Sequence, residues 1–201
     1  MRYSLLLAFV ACGLVMGAST LPPLGLSDDQ RQRLAAGEVI VLDALPPGAG
    51  KSARGGTALA VVRASPEQVW RVLVDYRGHT RFYPRVVGVE VVEADERHAL
   101  VRYEAGIGPL FFGFHMNKYP DPVRRRIEWQ LADGHANSLF RENSGYWQVD
   151  ESEGASLVTY AIAVRTILPA FLTLGAERRS LVDTINALRT LVENGKGAKT
   201  R

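Results

Sequence analysis

From Val86 to Thr166 the apolar residues of this chain recur at every second position, and beyond Pro169 they recur at helical spacing. A period of two marks half-buried strands, and a period near 3.6 marks an amphipathic helix. Six stretches carry the first pattern: Val86 to Glu93, Ala99 to Ala105, Phe111 to Lys118, Arg124 to Leu131, Ser138 to Val149 and Leu157 to Thr166, with polar or Gly/Pro turns between them. A parallel connection needs about a dozen residues or more, so these neighbours run antiparallel. In the segment Pro169 to Val192, the residues Leu174, Leu181, Ile185, Leu188 and Val192 form one apolar stripe, while Glu177, Arg178, Arg179, Asp183 and Arg189 fill the remaining positions. Pro169 suits the first turn of that helix and Gly195 its stop. The simplest α+β architecture is a curved antiparallel sheet gripping this one long helix.

Upstream, Thr57 to Arg63 reads as a seventh strand. It runs into a capping box, Ser65 with Gln68, with Pro66 at the first helical position and Val69, Val72, Leu73 and Tyr76 at helical spacing. That helix ends near Gly78, and a short turn carries His79 to Tyr83 before Pro84. Earlier still, Ser27 with Gln30 caps a short helix over Arg31 to Ala36, Gly37 stops it, and Glu38 to Leu42 reads as a strand. The Gly-rich segment Pro46 to Gly56 is a flexible connection. Its Gly50-Lys51-Ser52 is no phosphate loop, because the position that needs the first glycine is Leu45.

The N-terminus reads as an export signal: Arg2, an apolar run from Leu5 to Gly17, then small residues at Gly17, Ala18 and Ser19. The run is shorter than the roughly 20 residues of a membrane span. Cys12, in Phe9-Val10-Ala11-Cys12, loosely resembles a lipoprotein processing site, but it lies unusually early. It is the only cysteine, so removal of the signal leaves no disulfide, no thiol nucleophile and no thiolate metal site. The chain thus divides into a signal peptide (1–19), an N-terminal extension with a short helix and strand (20–56), a folded domain (57–194) and a disordered tail (195–201), with the mature protein periplasmic or secreted. At 201 residues and 47% hydrophobic content there is room for one substantial core. A net charge of +3 does not call for nucleic acid, and the one basic run, Arg124-Arg125-Arg126, suits a solvated hairpin end or a protein contact patch.

Several motifs resemble a known group: Ala64-Ser65-Pro66-Glu67-Gln68-Val69-Trp70 leading to Asp75-Tyr76, then Tyr83-Pro84, Gly145-Tyr146-Trp147, Leu157-Val158-Thr159-Tyr160 and Leu168-Pro169. Together with the element order they are similar to the SRPBCC superfamily, the START-like group, in its polyketide cyclase/dehydrase and coenzyme-Q-binding branch, over about Thr57 to Val192. The resemblance implies a helix-grip fold of about seven strands around the C-terminal helix, with an apolar ligand cavity between them.

Alternation assigns faces, since residues two apart share one. Val101, Tyr103 and Ala105 point inward, as do Phe112, Phe114 and Met116, then Ile127, Trp129 and Leu131, then Trp147 and Val149, then Tyr160, Ile162 and Val164. These side chains either fill a solid core or line the cavity that the resemblance implies. Arg141, Asn143 and Gly145 share the phase of Trp147. A guanidinium inside an apolar chamber needs an internal acid or a polar group of the ligand. A bulge would break the phase, a place at the mouth would relieve Arg141, and a slip of one residue would exchange it with Glu142. Phe82-Tyr83 and Phe171-Leu172 would flank the entrance. The candidate ligand contacts are Tyr103, Phe112, Phe114, Trp129, Arg141, Asn143, Trp147, Tyr160 and Phe171.

Catalytic signatures are sparse. His79, His98, His115 and His135 are scattered without a metal-binding pattern, and Ser144-Gly145 lacks the nucleophile elbow. The expectation is therefore no catalytic residue, no metal and no cofactor. The function that follows is a binding or carrier protein for a hydrophobic small molecule or lipid, with transient membrane contact. The alternative is a cyclase or dehydratase in the same cavity, using Tyr103, Arg141 or Glu142 as acid or base.

Overall fold

The computed structural model describes residues 25–168 and 176–195. The signal segment, Pro169, Phe171, Leu172, Leu174 and residues 196–201 lie outside the described residues. Among the described residues the first elements are a short helix, α1 (Asp28–Ala35), strands β1 (Ile40–Leu42) and β2 (Arg54–Val62), and a second short helix, α2 (Pro66–Val74). Both begin with the reciprocal capping box, Ser27 with Gln30 and Ser65 with Gln68. A 3-10 turn over Tyr76–Arg81 follows α2, held by Asp75, whose carboxylate accepts from the Gly78 N–H and pairs with Arg81. Then come β3 (Val86–Ala94), β4 (Ala99–Ile107), β5 (Leu110–Asp121), β6 (Arg126–Leu131), β7 (Phe140–Ser152), β8 (Ala155–Thr166) and the last helix, α3 (Ala176–Asn194).

All strands form one sheet in the order β1-β2-β8-β7-β6-β5-β4-β3, with every neighbouring pair antiparallel. The sheet has eight strands where the sequence pattern predicts about seven. The additional one is β1, the Glu38 to Leu42 segment, which pairs with β2 at Ile40↔Leu59 and Leu42↔Thr57. β2 in turn pairs along its length with β8, from Arg54↔Val164 to Val62↔Ser156, so strands far apart in sequence meet.

The core lies between the sheet and α3. Leu181, Ile185, Leu188 and Val192, four residues of the predicted stripe, are all buried against Ala58, Ala60 and Val62 of β2 and the inner residues of the other strands. A second, smaller cluster of Leu26, Leu34, Ile40, Leu59 and Leu157 packs on the opposite face of β2 and β8. The segment before residue 57 thus covers the outer face of these strands. Covering on both faces explains why β2 is apolar almost throughout instead of alternating.

The basic run sits at the β5–β6 turn. Arg124 pairs with Asp121, Arg125 with Glu67 and Arg126 with Glu128, and the Arg126 guanidinium stacks 3.7 Å over the Tyr146 ring. Each cation has an acid beside it, so the run is a neutralised hairpin end.

Candidate ligand cavity

A cavity of about 230 Å³ lies between the sheet and α3. Its wall takes Tyr103 and Ala105 from β4, Phe114, Met116 and Lys118 from β5, and Trp129 from β6. Asn143 comes from β7, Tyr160 and Ile162 from β8, and Leu181 and Thr184 from α3. Tyr83, Pro84 and Arg85, ahead of β3, close one side; Pro84 and Arg85 are exposed and mark its outer end. Of the residues selected from sequence, Tyr103, Phe114, Trp129, Asn143 and Tyr160 come together here.

The aromatic side chains are layered. Tyr160 stacks on Trp147 at 4.1 Å between ring centroids and on Trp129 at 5.8 Å, and Tyr103 stacks on Phe114 at 5.6 Å. Polar atoms within this layer find one another. Trp129 Nε1 donates to Asn143 Oδ1 at 3.1 Å, and Trp147 Nε1 donates to the Tyr83 hydroxyl at 2.8 Å. Burial pushes the Tyr83, Tyr103 and Tyr160 hydroxyls above the ordinary phenol range, so all remain neutral.

Lys118 is the exception. It is 4% exposed, and its Nζ forms no hydrogen bond or ion pair with any described residue. Its contacts are ring faces: Nζ lies 4.5 Å from the centroid of Trp129 and 5.3 Å from that of Tyr103. Desolvated cation–π contacts contribute about 2 kcal/mol, less than the cost of stripping water from an ammonium. Burial accordingly lowers its pKa to about 7. The sequence does carry a signal for it, because Lys118 is the next step in the inward series Phe112, Phe114, Met116.

His79, which its sequence neighbours do not single out, is 2% exposed behind Tyr103. Its Nε2–H donates to the Leu73 carbonyl at 2.9 Å, and its Nδ1 accepts from the Tyr103 hydroxyl at 2.8 Å, which requires the neutral ring. Burial first, then the charge of Lys118, bring its pKa down to about 3. Its ordinary value is near 6.5, so from pH 6.5 down to 3 the unfolded chain binds the proton and the folded one does not. The His79 contribution to stability is therefore complete above pH 6.5 and falls with acidification across that window. Urea unfolding followed from pH 6.5 to 5 is expected to show this loss, and His79→Phe is expected to flatten it. An unchanged slope in the variant would remove His79 as the cause.

The sequence itself matches the family described as polyketide cyclase / dehydrase and lipid transport over residues 62–189, which is more than half of the chain. The chain belongs to that family. Solved structures with the same fold include the Zhui aromatase/cyclase from Streptomyces sp. R1128 (TM-score 0.60, 17% identity, 78% of this chain and 94% of the other). A STAR-related lipid transfer protein from Xanthomonas axonopodis gives a TM-score of 0.61 at 15% identity, covering 77% of this chain and 92% of the other. A START superfamily protein from Mycobacterium smegmatis gives 0.57 at 16%, covering 69% and 96%. At these identities the likeness is one of fold. No curated protein matches the chain in sequence.

Within this polyketide cyclase/dehydrase framework three candidate contacts, Arg141, Trp147 and Phe112, stand elsewhere. Arg141 is exposed and absent from the cavity wall. The β7–β8 register shifts between Phe140 and Glu142, and this bulge leaves Phe140 lining the cavity in the place that alternation assigned to Arg141. Glu142 also stays outside, where it accepts from the Gly50 N–H at 2.7 Å. Trp147 is buried in the layer behind Tyr160 and does not reach the cavity surface. Phe112 packs at the edge of the core, short of the wall. Phe171 lies outside the described residues. Arg141→Leu is therefore expected to leave retention of a bound apolar molecule unchanged. A drop in retention would return Arg141 to the site.

Proposed function

We propose that this protein binds a hydrophobic small molecule or lipid between the sheet and α3 and carries it without transforming it, outside the cytoplasm. The observation that carries this reading is the cavity itself, walled by Tyr103, Phe114, Trp129 and Tyr160. An apolar chamber of this size gives up packing contacts that a solid core would make. A core selected only for packing would close it. Membership of a family whose description includes lipid transport supports the same reading. The acid and base candidates that the sequence offers for a cyclase are poorly placed: the Tyr103 hydroxyl donates its hydrogen bond to His79, and both Arg141 and Glu142 lie outside the chamber.

Two further features support delivery at a membrane surface beyond the cytoplasm. Residues 1–19 have the pattern of an export signal. Leu110 and Phe111, at the β4–β5 turn beside the cavity-lining Ile107, are both more than half exposed, a place for transient membrane contact.

The test is mass spectrometry of organic extracts from the protein purified out of its native envelope, beside a mock purification, with the N-terminus of the mature chain sequenced in the same sample. A stoichiometric apolar molecule supports the carrier. An extract identical to the mock, from a protein that also fails to take up added apolar compounds, sinks it.

A further inference from the structure

We propose that the cavity selects an amphiphilic ligand with a carboxylate head, and that Lys118 is the group that takes it. The inference rests on the binding function proposed above and names the chemistry of the ligand at that site. Three observations on different elements converge on it.

The first is the orphan cation. Lys118 points into the chamber from β5 with its Nζ over the faces of Trp129 and Tyr103, and no described residue offers it a carboxylate or a hydrogen-bond acceptor. Retaining an amine at such a position, in phase with Phe114 and Met116, is costly unless something else completes it. The second is the sign of the wall. Its charged members among the described residues are Lys118 and Arg85, and none of the described acids lines it. Among the acids of the same strands, Glu104 is paired with Arg102, Asp121 with Arg124, Glu128 with Arg126 and Glu142 with Arg165. Arg85 is exposed at the outer end and Lys118 is buried within, so an anion meets one cation at the mouth and the other at its destination.

The third observation is a second unused donor. Asn143 spends its Oδ1 on Trp129 Nε1 and lines the chamber from β7, while its amide N–H groups have no partner among the described residues. A carboxylate has two oxygens and can accept from an ammonium and an amide together. A neutral alcohol would leave the ammonium without a counter-charge. The aromatic rings around these donors supply the surface for the apolar part of the same molecule.

Matched probes test this. The full-length mature protein is titrated by calorimetry at pH 6.5 with two pairs that differ only at the head, dodecanoate against 1-dodecanol and 1-naphthylacetate against 2-(1-naphthyl)ethanol. The two tails separate a fatty acid from an aromatic acid as the source of the carboxylate. The expected result is that at least one acid binds about tenfold or more tightly than its alcohol, and that Lys118→Met reduces this ratio to about one without weakening the alcohol. Near-UV circular dichroism of the variant shows that the fold is retained. Acid and alcohol of equal affinity on the parent, or an acid preference that persists in Lys118→Met, overturn the assignment while leaving a cavity binder intact. No binding by any of the four overturns the binding function, and this inference with it.

Discussion

At pH 6 the Lys118→Met variant is expected to be more stable than the parent by on the order of 3–5 kcal/mol, and the difference is expected to shrink to about 1.5 kcal/mol near pH 9.5. The sign follows from the lysine's depressed pKa, about 7 in the fold against about 10.5 in the unfolded chain. Below pH 7 the amine is charged in both states, and the fold bears the cost of holding that charge over the rings of Trp129 and Tyr103. Between pH 7 and 10.5 the folded protein has released the proton while the unfolded chain still binds it, so the parent gains stability as pH rises. Methionine has nearly the same length and no charge, and its stability is expected to be flat over this window. The buried tyrosines act in the opposite sense, because their protons stay on in the fold and leave the unfolded chain near pH 10, so the comparison is best read below that value. Urea midpoints at pH 6, 7.5 and 9 are sufficient. A variant less stable than the parent at pH 6 would mean that Lys118 is not held uncompensated.

Gly145→Ala is expected to destabilise by at least about 3 kcal/mol, more than most single substitutions in a strand. Gly145 lies on β7 opposite Trp129 on one side and Ile162 on the other. A Cβ there would overlap the Ala161 carbonyl oxygen and come within 2.6 Å of Trp129 Cζ2. Neither neighbour yields easily. The carbonyl belongs to the β7–β8 ladder, and Trp129 is tied to Asn143 and stacked on Tyr160. The variant must therefore separate β7 from β8 or push Trp129 into the cavity, and the second outcome would also cost ligand capacity. Gly113→Ala is the control, since its Cβ would meet only the Arg102 guanidinium at 3.7 Å. Equal urea midpoints for the two variants would show that the backbone of β7 shifts at little cost and relieves the crowding at Gly145.

What can be read from the sequence, and what cannot, divides along the range of the interactions involved. Ser65 with Gln68 announces α2 because a capping box needs only neighbouring residues, and the stripe of Leu181, Ile185, Leu188 and Val192 announces α3 because a helix has one period. Tyr103, Phe114, Trp129 and Tyr160 are legible for the same reason, each sitting mid-strand where alternation is regular. Alternation misplaces Arg141 because a bulge is a property of two paired strands, and β7 alone carries no mark of its slip against β8. Lys118 escapes notice because a charged residue ending an apolar series reads as the end of the strand, although the ladder with β6 continues past it to Asp121. His79 looks like a turn residue in a polar stretch, and its burial depends on Tyr103, which a local reading does not connect to it. The packing of residues before 57 onto Leu59 and Leu157 is hidden in the same way, by a partner at the far end of the chain.

The pairing of β2 with β8 sets the order of events in the life of the molecule. β2 is synthesised well before β8, so the ladder between them closes only after the strands from β3 to β7 have been made. The helix that roofs the chamber comes later still. An incomplete chain therefore presents Trp129, Tyr160 and Phe114 to solvent with no pocket to shelter a guest, and must be kept from aggregating until α3 docks. The chamber itself exists only once α3 has docked on the sheet.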